Sequence, residues 1–310
     1  MIKGLAITPP VLGRIAIGRV VERDGKRLPQ QADEFTITSQ VQSAGDWLPH
    51  PIDAQLREQL SEGSKLRSIP VRVPFNDPDL NLRAEYVLFD RADARPLCVG
   101  DGDQCKRRTK EGMSSLACPS PDGCELAVGG ACKPYGRLNV VLGEHSDPFG
   151  TFIFRTTGFN SIRTLAARLS YFQAVSGSRL AYLPLELRLR GKSTRQSFGR
   201  PIIYVDLTLR EGWSLEKTLA EACRLEQERQ SIGFDQKALD RAAKQGLANG
   251  AFEDNPEAGA AIAEEFYPSQ ERKAPEHPGT PATSLVEKLA EKSQGHTEKE
   301  SLNQDTSLAG

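Results

Sequence analysis

The sequence predicts an α+β protein with a β-rich core of short antiparallel strands, a cysteine-rich metal-binding loop, one packed helix and C-terminal helices. Three observations predict this fold class: short segments of alternating apolar and polar residues up to residue 212, five cysteines between positions 98 and 132, and helical periodicity near residue 165 and after residue 213. With 310 residues, 38% of them apolar, the chain can bury one substantial core or two modest ones.

Short strands separated by turns fill the front of the chain. The segments DEFTITSQV, KLRSIPVRV and LRAEYVLFD alternate apolar with polar residues, which is typical of strands with one buried face. The last two flank FNDPDLN, whose Asn, Asp and Pro residues favour a turn. After RPLCV the alternation stops for roughly three dozen residues rich in Gly, Pro, Ser and Cys, and we expect a loop closed by its cysteines there.

A strand pair and a helix follow the cysteines. The segments GRLNVVLG and GTFIFRTTG predict two strands joined as a hairpin through EHSDPF. Asn160 or Ser161 can cap the next helix, which we expect to stop near Gly177. Its apolar residues have the spacing of one helical face, namely Ile162, Leu165, Leu169 and Phe172.

Two more strands, LAYLPLELRLR and PIIYVDLTLR, flank the polar and basic loop GKSTRQSFGR. Alternation in the first strand directs its leucines inward and Glu186, Arg188 and Arg190 outward. From Ser214, a suitable capping residue, the chain becomes helical. The expected buried stripe of this helix consists of Leu215, Leu219, Ala222 and Leu225. A second helix is expected from Asp235 until Gly246, which can end it.

These patterns divide the chain into three parts. Residues 1–212 are predicted to form a β-rich domain with a cysteine-rich insertion at 98–132, and residues 213–250 a helical extension. Residues 251–310 are too polar to cover a core, and we expect them to be a disordered acidic tail.

Charge is distributed unevenly, although the net charge is only -1. Residues 151–210 contain ten Lys or Arg and two acidic residues, which gives 10 − 2 = +8. Residues 251–310 contain five basic and twelve acidic residues, which gives 5 − 12 = -7. The basic segment favours an anionic partner and the acidic one a solubilising or self-masking role. A solvated strand face beside a polar tail is the simpler alternative.

The clustered cysteines indicate a metal site. Separations of 6, 12, 5 and 7 residues contain no C-x-x-C pair, unlike a standard zinc ribbon. Surrounding Gly and Pro residues can turn thiolates inward, and neighbouring Lys and Arg residues can offset their charge. Zinc held by four thiolates in a closed, structural site is the leading interpretation, and an iron-sulfur cluster is the alternative. The five candidate ligands are Cys98, Cys105, Cys118, Cys124 and Cys132.

One of these five ligands would be surplus in a four-coordinate site. We expect it to be Cys98, because this residue ends a strand-like segment. If only three cysteines bind, His145 could supply a fourth ligand, while Cys223 is expected to be a small buried hydrophobe in a helix.

We find no export signal and no apolar segment long enough to cross a membrane in the sequence, so we expect a cytoplasmic protein with no membrane partner. Its oligomeric state is left open. In the reducing cytoplasm, clustered cysteines favour metal ligation over disulfides.

Catalytic motifs are not apparent, since the sequence contains no G-x-S-x-G, Walker A, H-E-x-x-H or G-x-G-x-x-G pattern. A metal-dependent hydrolase or nuclease could still use carboxylates such as Asp77, Asp79 and Asp90. A third class is a single-stranded nucleic-acid-binding module, in which aromatic residues near the arginines stack on bases. The candidates for stacking are Phe152, Phe154, Tyr171 and Phe172, most of which fall on core-facing positions.

The succession CKPYGRLNVVL, GTFIFRTTGFNSI and LPLELRLRGKS…PIIYVDLTL resembles the phage recombination directionality factor-like family, over roughly residues 20–212. The matching positions are Cys124, Cys132, Lys133, Gly136, Leu138, Thr157, Asn160, Ser161, Gly191 and Lys192. This resemblance implies a β-rich domain that binds a large serine integrase and redirects its synapsis.

The sequence therefore predicts a non-catalytic, zinc-stabilised accessory protein of a phage or mobile element. Its expected partners are a site-specific recombinase, DNA, or both, and its expected role is to control the direction of recombination. The predicted contact residues lie on the outward face of one strand and on the loop that follows, namely Arg188, Arg190, Lys192, Arg195 and Arg200.

Overall fold

A computed structural model describes residues 10–23, 26–43, 46–90, 95–143, 150–193 and 201–246. The chain divides into two compact units. Unit 1 comprises residues 1–86 and 133–253, and unit 2 comprises residues 87–132 and 254–310. The predicted tail at 251–310 and the two loops at 144–149 and 194–200 lie outside the described residues.

The chain alternates strands with helices in an α+β arrangement, as predicted. The strands are β1 Val11–Arg23, β2 Lys26–Ser43, β3 Asp46–Pro49, β4 Ser68–Arg72, β5 Leu82–Phe89, β6 Pro96–Gly100, β7 Gln104–Thr109, β8 Gly112–Ala117, β9 Cys132–Leu142, β10 Thr151–Thr156, β11 Leu185–Lys192 and β12 Ile202–Leu209. The α-helices are α1 Pro51–Glu58, α2 Pro78–Asn81, α3 Ser120–Gly123, α4 Phe159–Val175, α5 Leu215–Ser231 and α6 Gln236–Gly246, and short 3-10 segments cover Glu125–Gly130 and Leu180–Tyr182. Among the described residues, no helix is long and apolar enough to span a membrane.

Unit 1 is built on a mixed sheet in which most strand pairs are antiparallel. Its strands follow the order β3-β2-β1-β10-β9-β5, and β4 joins β9 to the β11–β12 hairpin. The β1–β10 pair is parallel, with Val11 opposite Thr151 and Ile15 opposite Phe154. Strands β9 and β10 pair antiparallel, as predicted for the segment that follows the cysteines.

Helix α4 packs on the sheet of unit 1 through the face that its sequence predicted. Ile162, Leu165, Leu169 and Phe172 are all buried. The N-cap is Gly158, two residues before the nearer of the predicted caps, Asn160 and Ser161. The Ser161 hydroxyl accepts a hydrogen bond from the Val205 amide (3.0 Å) and not from its own helix.

Helices α5 and α6 of unit 1 agree with the sequence at their starts. Ser214 caps α5 and accepts a hydrogen bond from the Lys217 amide, as predicted. Asp235 likewise accepts one from the Ala238 amide at the start of α6. The predicted stripe of α5 is displaced at its first turn, where Leu215 is exposed and Thr218 is buried. The Thr218 hydroxyl satisfies its polarity by donating to the Ser214 carbonyl (2.8 Å).

Unit 2 differs from the predicted loop, since most of residues 96–117 form the antiparallel strands β6, β7 and β8. Short turns permit this. The Asp101 carboxylate accepts hydrogen bonds from the Asp103 and Gln104 amides (2.8 Å each) between β6 and β7. Gly112 (φ 127°) closes the next turn. The alternation of apolar and polar residues did not predict this hairpin, because Ser and Gly occupy several of its strand positions.

Candidate metal centre and partner-binding surface

The β6–β7 pairing of unit 2 brings two cysteines together. Cys98 lies opposite Arg107, and Gly100 lies opposite Cys105. Because directly paired residues share a face of the sheet, the side chains of Cys98, Cys105 and Arg107 project from the same face. The structure therefore joins Cys98, which we expected to be the surplus ligand, directly to the cluster.

Cys118 reaches the same place from the end of β8. A Cβ atom added to Gly100 would lie 2.9 Å from the Cys118 Sγ and 2.7 Å from the Cys105 Cβ. Position 100 therefore has no room for a side chain, because the two cysteines occupy the space above it. The Cys118 amide donates to the Asp103 carbonyl (2.7 Å), which continues the β-ladder and fixes the backbone at this residue.

Cys124 and Cys132 complete the group from the segment after β8. Cys124 precedes the 3-10 segment, and its carbonyl accepts a hydrogen bond from the Ala127 amide (3.0 Å). The pKa of Cys132 is raised to about 12, first by burial and then by the charges of Cys98, Cys124, Cys118 and Cys105. All five predicted ligands are therefore close enough in unit 2 to influence one another electrostatically.

The raised pKa values of Cys105 and Cys132 favour the protonated form of these two thiols at neutral pH. Burial raises the pKa of Cys105 to about 11, with a hydrogen bond to Cys98 as the next cause. Burial of Arg107 lowers the pKa of this residue, but its hydrogen bond to Cys98 and the nearby Cys105 and Cys124 outweigh that effect and leave it raised. A bound divalent ion would reverse this balance, because metal binding displaces the thiol protons.

The donor chemistry of the cluster fits zinc, which takes up to four thiolates in a closed tetrahedral shell. Within the described ranges, no group of three or more His, Cys, Asp or Glu residues is yet arranged to hold an ion. Ligation would require the thiolates to move closer together around the ion. His145, the alternative ligand, lies outside the described residues.

Arg188 on β11 of unit 1 is paired with two carboxylates. Its Nε donates to the Glu186 Oε1 (2.7 Å), and its Nη2 donates to the Glu211 Oε2 (3.0 Å). Glu186 lies on the same face of β11 as Arg188, as the alternation predicted, but its side chain is buried and not exposed to solvent. The Thr208 hydroxyl and the Glu211 amide also donate to it (3.3 and 3.2 Å), so its burial is compensated by hydrogen bonds.

Asp206 on β12 is a second buried carboxylate that holds two arginines. Its oxygens accept hydrogen bonds from the Nε atoms of Arg190 (2.7 Å) and Arg168 (3.0 Å). Only 2% of the Asp206 side chain is exposed, whereas 45% of Arg190 and 46% of Arg168 are exposed. The charges of β11 are thus tied to helix α4. The sequence did not predict that Arg168 contacts Asp206. Its only distinguishing feature in the sequence is its position next to the buried Leu169 on helix α4.

Lys192, at the end of β11, also contacts helix α4. Its Nζ donates to the Asn160 Oδ1 (2.7 Å) and lies 5.6 Å from the centre of the Tyr204 ring. The structure thus brings Arg188, Arg190 and Lys192 together on one hairpin, whereas Arg195 and Arg200 lie outside the described residues. We call Arg168, Arg188, Arg190 and Lys192 the arginine–lysine surface.

Residues considered for the other function classes have roles in the fold. Asp77 caps α2 by accepting from the Asp79 amide (3.0 Å) and forms an ion pair with Lys244 (2.6 Å). Three of the four aromatic residues considered for base stacking, Phe152, Phe154 and Phe172, are buried in the core, whereas Tyr171 is exposed.

Comparison with known families identifies the class of this protein. A family model described as Gp3-like, recombination directionality factor-like, matches residues 12–210. The chain therefore belongs to the recombination directionality factor-like family, in agreement with the resemblance found in the sequence. This membership points to an accessory role in phage recombination. No curated protein and no solved structure matches the chain.

Proposed function

We propose that this protein is a non-catalytic, zinc-stabilised accessory factor that binds a serine recombinase and controls the direction of recombination. Family membership over residues 12–210 is the observation that carries this proposal. The matched range includes both the cysteine cluster of unit 2 and the arginine–lysine surface of unit 1.

The zinc component of the proposal is supported by five thiols grouped in a unit of modest size. Zinc coordinated by four thiolates has no open position for a reactive water, so the metal would stabilise structure and not catalyse a reaction. The zinc ligands would come from five cysteines, namely Cys98, Cys105, Cys118, Cys124 and Cys132. Arg107 would offset part of the negative charge of their thiolates.

The recombinase component is supported by the arginine–lysine surface. Arg168 and Arg190 share Asp206, and Arg188 is held by Glu186, so these guanidinium groups are fixed in position before any partner arrives. Fixed side chains lose little conformational entropy on binding, which favours specific contact with a protein. Their carboxylate partners also reduce the net charge that would attract a DNA backbone. DNA therefore remains the second candidate partner.

An excision assay with the recombinase encoded by the same mobile element tests the role directly. Wild-type protein should switch recombination from integration to excision, and the triple variant Arg188→Ala, Arg190→Ala, Lys192→Ala should lose this activity and fail to co-purify with the recombinase. Arg224→Ala is the matched control, because Arg224 is an exposed arginine on α5 that pairs only locally with Glu221 and Glu228. Wild-type protein that leaves the direction unchanged would refute the proposal.

Binding to DNA is measured separately in the same series. If the surface contacts phosphates, the triple variant should weaken DNA binding equally for all sequences and reduce its dependence on salt. If it contacts the recombinase, DNA binding should be unaffected.

Metal content tests the zinc component without the recombination assay. Protein purified without a metal-affinity tag should contain about one zinc per chain, and a chelator should lower its Tm. Zinc-free protein whose Tm does not change with chelator would contradict a structural metal site.

A further inference from the structure

Strand β8 of unit 2 is a terminal strand of the described sheet. In the parts of the chain that the structure describes, β8 pairs with β7 and has no neighbour on its other side. Its six residues, Gly112–Ala117, include no charged residue and no proline, and its pairing with β7 continues without a bulge. Proteins usually protect an exposed edge with one of these devices, because an open edge attracts further strands.

The hydrogen-bonding groups on the open side of β8 follow from its register. Thr109 and Gly112 are paired across a two-residue turn, so they exchange hydrogen bonds, and the exchange recurs at every second pair along the ladder. The Cys118 amide, which donates to the Asp103 carbonyl, continues this alternation beyond the strand. Met113 and Ser115 therefore direct their amides and carbonyls away from β7, and so does the Ala117 amide, whereas the Ala117 carbonyl accepts a hydrogen bond from the Cys105 thiol (3.8 Å).

The other terminal strands of the described sheets differ from β8. Strand β3 has only four residues and ends at Pro49. Strand β12 is covered by helix α4, since the Ser161 hydroxyl accepts a hydrogen bond from the Val205 amide on that edge. By contrast, Met113 and Leu116 on β8 remain 53% and 42% exposed. Among the terminal strands of the described sheets, β8 is thus the one best suited to accept another strand.

The charge of the β7–β8 hairpin limits the partner chemistry. Its residues 104–117 contain four basic side chains and Glu111, which gives 4 − 1 = +3. Lys106 lies opposite Ser115 and Arg108 lies opposite Met113, so both cations project from one face. A strand added to β8 would lie about 10 Å from β7, close enough for long acidic side chains to interact with those cations. A second copy of this hairpin would be disfavoured as the partner, because it carries the same positive charge and would be repelled.

We infer that the open edge of β8 binds an extended, acidic segment of the recombinase by adding it as a further strand. The outward amides of Met113, Ser115 and Ala117 and the outward carbonyls of Met113 and Ser115 supply the main-chain hydrogen bonds. The side chains of Met113 and Lys106, on one face of the hairpin, select the side chains of that segment. This inference rests on the proposed function, because it names a second contact for the same partner, in addition to the arginine–lysine surface.

Substitution of Ser115 tests the main-chain contact in the full-length protein. Ser115→Pro removes an outward amide and leaves the hydrogen bonds to β7 in place, because proline is tolerated on an edge strand. It should weaken binding to the recombinase at least tenfold with the Tm unchanged. Ser115→Ala is the matched control, since it removes the hydroxyl but keeps the amide, and it should bind like wild type. Equal affinity of the two variants would overturn the inference.

Amide hydrogen exchange locates the contact even if Ser115→Pro is unstable. In free protein, the Met113, Ser115 and Ala117 amides should exchange rapidly, and addition of the recombinase should slow them at least tenfold. Protection already present in the free protein would mean that a second copy or another segment of this chain covers the edge, which would overturn the assignment to the recombinase.

The double variant Lys106→Gln, Arg108→Gln tests the acidic character of the partner. It should raise the Kd at least threefold at low salt and reduce the dependence of binding on salt. An unchanged Kd would refute an acidic segment. If wild-type protein does not bind the recombinase at all, the proposed function fails; if wild type binds and all β8 variants bind equally well, the docking site alone fails.

Discussion

Gly100 and Cys118 approach each other so closely that a Cβ atom on residue 100 would lie 2.9 Å from the Cys118 Sγ. The same atom would lie 2.7 Å from the Cys105 Cβ. The glycine is required for steric reasons, because its missing side chain leaves the space in which these two cysteines meet.

Substitution of this glycine should therefore disturb the cysteine cluster. We expect Gly100→Ala to displace Cys118, to reduce the bound zinc to well below one ion per chain and to lower the Tm. Gly112→Ala is a useful comparison, because it strains a positive φ in the same unit but meets nothing within 4 Å. Metal analysis and thermal melting distinguish the two variants. Full zinc occupancy in Gly100→Ala would show that Cys118 is not a ligand.

Asp206 should contribute to stability through its two arginine partners. Asp206→Asn removes the buried negative charge that holds Arg168 and Arg190, and we expect it to lower the free energy of unfolding by about 1–3 kcal/mol, less than for fully buried pairs because both arginines are partly exposed. Chemical denaturation measures the change. The exposed ion pairs of Arg224 provide the control, and Arg224→Ala should change the free energy of unfolding much less than Asp206→Asn does, because solvent screens them. Equal effects of the two substitutions would contradict a structural role for Asp206.

Gly136 on β9 should be intolerant of a side chain, because helix α4 lies directly above it. An added Cβ would lie 2.8 Å from the Ile162 Cγ1. We expect Gly136→Ala to cost about 1–3 kcal/mol in the free energy of unfolding. The same substitution should cost less in an Ile162→Ala background, which removes the clashing atoms. An identical cost in both backgrounds, measured by urea unfolding, would place the strain elsewhere.

His50 should make the stability of unit 1 depend on pH. Its Nδ1 accepts a hydrogen bond from the Ile52 amide (3.2 Å) at the start of α1, which requires a neutral ring, and burial lowers its pKa below the ordinary 6.5. The unfolded chain therefore takes up a proton first as pH falls. The contribution of His50 is complete above pH 6.5 and decreases below that value until the folded pKa is reached.

The variant His50→Asn preserves a capping side chain that does not titrate in this range. Its stability, measured by denaturant unfolding at several pH values, should decrease less than that of the wild type between about pH 6.5 and pH 5. Parallel curves for the two proteins would exclude His50 as the cause.

The sequence predicted the elements whose burial follows a regular period. All four apolar residues predicted for α4 are buried, and Ser214 caps α5, because helix packing and capping depend on residues close together in the sequence. Strand β1 was missed, since Gly13 and Arg14 interrupt its apolar residues. Gly13 is needed there because a Cβ would lie 2.4 Å from the Thr38 carbonyl oxygen, and Arg14 stacks on Trp47 at 4.3 Å.

The candidate site was predicted in its composition but only partly in its geometry. The five cysteines were identified from their clustering, whereas the place of Cys98 within the group depends on its register with Arg107 across two strands. Alternation assigned Glu186 to the face of Arg188 but did not predict its burial, because a residue pattern does not include the arginine, threonine and amide donors that compensate a buried carboxylate. Two of these donors, the Thr208 hydroxyl and the Glu211 amide, come from distant positions in the chain, whereas Arg188 is only two residues away.

The parallel pairing of β1 with β10 also has a consequence for folding during synthesis. The Thr151 amide donates to the Pro10 carbonyl, so about 140 residues must leave the ribosome before this contact can form. Until then the β1–β2 hairpin has an open edge on the side that β10 later covers. We expect this interval to be the period in which a nascent chain is most exposed to aggregation and most dependent on chaperones.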